Sequence, residues 1–70
     1  MKFKIGSLCI QNNETLATII KYDEVYTLQW ARPDRYMNTY FNHTEEDLER
    51  WSRTHGKIVS FNDYIDASRE

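Results

Sequence analysis

The sequence predicts a mainly β fold with one short helix, in the element order β-β-β-β-α-β. Three observations carry that expectation. Short runs rich in β-branched and aromatic residues ("SLCIQ", "TLATIIKY", "VYTLQW", "YMNTYF", "KIVSF") alternate with polar turn clusters, the punctuation of a small antiparallel sheet. A single stretch, "TEEDLERWSRTHG", has the charge order and punctuation of a helix. Aromatic residues make up 14% of a chain of 70 residues. Each ring buries roughly 150–250 Å², so a few of them replace the disulfides or metal that so short a chain otherwise needs.

Taken in order, residues 7–11 follow Gly6 as a first strand and end in the turn cluster Gln11-Asn12-Asn13-Glu14. Residues 15–22 form a second strand, Asp23-Glu24 a tight turn, and residues 25–30 a third strand. Folding about that turn pairs Ile19 with Leu28 and Ala17 with Trp30. Residues 36–41 are expected as the fourth strand, after a connection in which Pro33 supplies a fixed φ. The register that sets apolar against apolar pairs Trp30 with Met37, Leu28 with Thr39 and Tyr26 with Phe41. A slip of one residue would put Asn38 beside Leu28 in the core. On this parity Trp30, Met37 and Phe41 face inward. The outer face collects Ile20, Tyr22, Val25, Thr27, Gln29, Tyr36, Asn38 and Tyr40.

The helix spans about residues 44–55. Thr44 and Asp47 form a variant of the capping box. Acids fill the first turn and Arg50, Arg53 and His55 the last, as the helix dipole favours. Glu46–Arg50 and Glu49–Arg53 are spaced for i, i+4 pairs, Leu48 and Trp51 share one face, and Gly56 stops the helix. With two large apolar anchors, it is expected to dock at an edge or end of the sheet. Residues 57–61 form a fifth strand, and Ser60 with Asp63 caps a short second helix before a frayed tail. The domain is thus expected over residues 1–61, with 62–70 a C-terminal segment. There Tyr64 and Ile65 either close the end of the sheet or dock on another chain.

The formal net charge is −2 and about 29% of residues are charged, a globular balance that disfavours broad phosphate-driven nucleic-acid binding. One cysteine, Cys9, excludes an internal disulfide and a cysteine-based zinc site. As a small residue in an apolar strand it is expected to be packed. No run approaches the roughly 20 apolar residues of a membrane span, and the opening "MKFKIGSLCI" lacks a signal peptide's pattern. The expectation is a complete small chain beginning at Met1, in a cytoplasm.

The phrasing "KIGSLCI", "ATIIKYDEVYTLQW" and "TYFNHTEEDLERW" resembles stand-alone SH3-like (Tudor- or KOW-like) small barrels, abundant among small bacteriophage and prophage proteins. The likeness covers roughly residues 3–61, as a pattern of strand order and aromatics. The basic, glycine-rich stretch of the KOW type and the clustered aromatics of a methyl-lysine cage are missing. What the resemblance implies is a five-stranded SH3-like barrel; localisation would be the host cytoplasm if the chain is of phage origin.

His43 and His55 are the only histidines. Glu45 and Glu46 follow His43, where a metal or acid–base site is conceivable, but His55 ends a helix and His43 precedes its cap, which accounts for both as structural positions. With no phosphate-binding loop or nucleophile elbow either, no enzymatic activity, cofactor or metal is expected. The candidate binding set is Arg32, Arg35, Tyr36, Asn38 and Tyr40, basic and aromatic residues left pointing outward around the third hairpin. Their expected partner is a protein that the chain modulates or inhibits. The alternatives are a nucleic acid, whose bases would stack on the tyrosines, and self-association through an edge strand.

Overall fold

The computed structural model describes residues 2–68. The expectation for Arg69 and Glu70 lies outside those residues, as does that for the Tyr64 side chain.

Five strands, β1 (Leu8–Gln11), β2 (Glu14–Asp23), β3 (Val25–Trp30), β4 (Thr39–His43) and β5 (Lys57–Val59), form one antiparallel sheet in the order β4-β3-β2-β1-β5. A helix, α1 (Glu45–Thr54), joins β4 to β5, and a second, α2 (Phe61–Ser68), follows. The element order is the expected one. Among the described residues β4 and β5 are the two edges, so the sheet is open.

Residue chemistry explains the turns. Asn12 and Asn13 both take positive φ, 53° and 64°, a conformation asparagine tolerates and two-residue hairpins require. Glu24 does the same at the β2–β3 tip, with φ of 66°, setting Asp23 opposite Val25. The body of this hairpin has the expected register, with Ala17 opposite Trp30 and Ile19 opposite Leu28. Between body and tip Ile20 bulges out of the ladder, and Tyr22 lands opposite Tyr26. The expectation of Tyr22 on the outer face is therefore corrected: its ring packs on Tyr26 at 4.6 Å between centroids. Leu16 forms a second irregularity against β1, and its carbonyl accepts from the amides of Ala31 and Arg32.

The fourth strand also needs correcting. It starts at Thr39, not Tyr36, and its register is displaced by two residues: Trp30 faces Thr39, Leu28 faces Phe41 and Tyr26 faces His43. The connection takes up Ala31 to Asn38. Pro33 has no amide to give a ladder, Asp34–Tyr36 wind into a single 3₁₀ turn, and Asn38 takes φ of 61° and donates its amide to the Trp30 carbonyl at 2.8 Å. Met37, expected in the core, is exposed on this loop. A displacement of two preserves parity, so Phe41 does share the Trp30 face.

The core lies on the inner face of the sheet, where Cys9, Ala17, Ile19, Tyr26 and Leu28 are buried with Leu48 of α1. Phe3, Trp30, Trp51 and Ile58 pack around them. The helix thus lays its anchors onto this face, not merely onto an end of the sheet. Thr44 Oγ1 accepts from the Asp47 amide at 3.1 Å, the Thr44 half of the expected capping box. Arg50 reaches Glu46 and Asp47, while Glu49 takes Lys2 Nζ at 2.9 Å in place of the expected Arg53. Gly56 is needed for space: a Cβ there would meet the Ile10 carbonyl and the Trp51 ring. Ser60 Oγ accepts from the Asp63 amide at 3.2 Å, the cap expected for α2.

Candidate functional site

The five residues singled out in the sequence all lie on or beside the Ala31–Asn38 connection and β4, but not on one face. Tyr40 stands opposite Gln29 on the outer face with 59% of its surface exposed. Asn38 is on the same side, its Oδ1 3.4 Å from Gln29 Nε2. Tyr36 sits in the 3₁₀ turn, which swings its ring to the other side of the strand. There it meets the Phe41 ring edge-on, 5.6 Å between centroids at 85°. The expectation of Tyr36 on the outer face is corrected accordingly: parity holds only for residues in the ladder, and Tyr36 precedes it. Arg35 lies over the Tyr36 ring, 5.0 Å from its centroid, a cation–π geometry. Arg32 is exposed and reaches Glu14 at 3.9 Å, a solvated pair that contributes little. What the structure gathers is an edge with an aromatic on each side: Tyr40 outward, Tyr36 and Phe41 inward. The free backbone of β4 runs between them.

Behind that edge are two side chains that the sequence did not mark. Trp30 was expected as plain core and His43 as a loop residue before the cap. Both are half-buried on the inner face, with ring centroids 6.1 Å apart. Trp30 Nε1 and His43 Nε2 are enclosed yet have no hydrogen-bond partner among the described residues. A buried polar group left unpaired costs about 1–3 kcal/mol, so two of them side by side are unusual in a small domain. Burial also holds His43 below the ordinary imidazole value, opposed by the Asp47 carboxylate, which pulls it up. Two recesses flank the pair. One of about 120 Å³ is lined by Cys9, Leu28, Leu48 and Trp51 along with Asp47, and one of about 210 Å³ by Tyr36 and Phe41. The signal available in the sequence was parity: His43 continues Thr39 and Phe41 on the inward side once β4 is carried to its true end.

Cys9 is 2% exposed and burial pushes its thiol up to about 12, so its nucleophilic thiolate form is scarce near neutrality. Among the described residues no three His, Cys, Asp or Glu side chains gather as metal ligands, and no helix is long and apolar enough to cross a membrane. No family model, curated protein or solved structure matches this chain.

Proposed function

We propose that the chain is a non-enzymatic protein-binding module with an SH3-like strand plan, of the kind that small phage accessory proteins use to bind and inhibit a host or defence protein in the cytoplasm. One observation carries this reading: β4 is a free edge strand with exposed aromatics on both sides. An unpaired edge offers main-chain donors and acceptors to an extended segment of a partner. Tyr40 on one side, with Tyr36 and Phe41 on the other, would grip that segment from both faces, and Arg32 and Arg35 would read its acidic groups. Tyrosine and arginine are the residue types that dominate interface energetics. The net charge of −2 favours such a partner over a polyanion.

The test is capture of a partner by the wild-type chain alongside a Tyr36→Ala/Tyr40→Ala variant, with circular dichroism on both. A protein retained by the wild type and lost by the folded double variant supports the reading. Equal retention by the two overturns it.

The Arg35–Tyr36 stack favours a second reading, a nucleic-acid-binding barrel in which bases add to that stack and to Tyr40 at about 1–3 kcal/mol each. Binding of single-stranded oligonucleotides at low ionic strength tests it; no binding there removes it.

A further inference from the structure

Interiors normally fill their voids and pair their polar atoms. In this fold the polar-pairing rule lapses on two side chains that also have a partly open recess on either side of them. Trp30 and His43 line both recesses, about 120 Å³ toward α1 and about 210 Å³ toward the Tyr36–Phe41 stack, and their Nε1 and Nε2 are the buried atoms without partners among the described residues. We propose that this region binds a small neutral molecule made of a single aromatic ring bearing a hydroxyl group.

Each wall contributes to that choice. An enclosed cavity of roughly 150 Å³ accepts benzene, so the recess of about 120 Å³, somewhat smaller but partly open, limits a ligand to one six-membered ring and not a fused pair. Cys9, Leu28, Leu48 and Trp51 supply apolar surface, and Asp47 on the same wall turns away anions. Burial favours neutral His43 and no Lys or Arg lines the recess toward α1, so that recess offers no fixed positive charge to hold a carboxylate or phosphate.

The hydroxyl follows from hydrogen-bond roles. Indole Nε1–H only donates, whereas a neutral imidazole nitrogen donates or accepts according to tautomer. A hydroxyl accepts from Trp30 and either donates to His43 Nε2 or accepts from it, so one group serves both atoms in either tautomer. The two nitrogens are closed off in the free chain, and the rings must part to admit a ligand. A recess on each side leaves them room. The recess toward α1 shares no residue with the protein-binding edge, whereas the outer one shares Tyr36 and Phe41 with it, so the ring-sized recess stands without that reading.

Phenol is the probe, with benzene and benzoate as comparisons. The readout is the indole N–H resonance of Trp30 in ¹⁵N-labelled full chain, assigned against Trp51 with W51F. The expected result is a saturable shift of the Trp30 resonance by phenol, about tenfold or more tighter than benzene as the two added hydrogen bonds provide, with benzoate inactive. His43→Phe, which keeps the ring and removes Nε2, should bring phenol and benzene closer to parity. No saturable phenol shift, equal affinity for phenol and benzene, or preference for benzoate overturns the proposal. The wild-type ranking decides it even if the variant does not fold.

Discussion

The inner face of the sheet has two ends, and they are built on opposite principles. At one end Tyr26, 0% exposed, has every hydrogen-bonding role of its hydroxyl filled. It accepts from the amides of Lys2 and Phe3 at 2.9 and 3.0 Å and donates to Glu45 at 2.7 Å. Its ring is held by Phe3 and Tyr22. Burial raises its pKa, the Phe3 amide works against that, and the Glu45 carboxylate adds to it. At the other end Trp30 and His43 have enclosed nitrogens with no such partners among the described residues and a recess beside them. The contrast separates the part of this small domain where polar roles are filled from the part where they are not. Tyr26 binds the start of the described chain, β3 and α1 into one unit, whereas Trp30 and His43 leave a gap under the edge that carries the exposed aromatics.

The largest effect comes from the residue both ends share. Leu48 is buried against Tyr26 and also lines the smaller recess. Leu48→Ala should destabilise the fold by about 2–5 kcal/mol in urea denaturation. A smaller loss would mean that the recess already stands where this side chain should pack, and that the ends are less distinct than described.

Next is Tyr26→Phe, which strips Lys2, Phe3 and Glu45 of a shared partner and should cost about 1–3 kcal/mol. The matching change at the other end, His43→Phe, removes an unpaired polar atom and should cost less than Tyr26→Phe, or stabilise the fold. If the two variants lose the same stability, the contrast between the ends is wrong.

The smallest effect is on pH dependence. Because burial lowers the folded-state pKa of His43 from 6.5, the unfolded chain takes up the proton first. Its contribution to stability is present above about pH 6.5 and is lost as pH falls through the depressed folded value. Glu45, held down first by the Tyr26 hydroxyl and then by the Lys2 amide, adds a loss of the same sign at more acid pH, below its ordinary 4.5. His43→Phe should abolish the step nearest neutrality and leave the acid one. A step that survives the substitution belongs to another group.

Local chemistry made much of this legible in advance. Thr44, the acids after it and the basic last turn placed α1 within a residue or so of its observed ends. The strand alternation and the Asp23-Glu24 turn gave the pairing of Ile19 with Leu28. What escaped depends on choices that leave no mark in the residue pattern. Ile20 bulges although nothing about a β-branched residue announces it. The connection after Trp30 could be read as either short or long, and only the amide of Asn38 closing on the Trp30 carbonyl settles it. From that one choice follow the displaced β4, the exposed Met37 and the turned Tyr36, while His43 faces inward by parity in either register. Of the candidate residues, Asn38 and Tyr40 lie on the outer face as the strand alternation has it, and Tyr36 lies on the other.

Ile20 sets up a change of phase. The body of the β2–β3 hairpin is aligned by one counting rule, in which paired residue numbers sum to 47, as Ile19 and Leu28 do. The tip obeys another, a sum of 48, as Tyr22 and Tyr26 do. A chain shortened by Ile20 alone would keep Ile19 opposite Leu28 and Tyr22 opposite Tyr26 in one unbroken ladder, whereas a ladder that paired Ile20 instead of bulging it would send Tyr22 to the other surface, away from Tyr26. Whether this position is paired or bulged is thus a switch of direction for everything beyond it: the strand is read in two frames, and one unpaired residue is the shift between them.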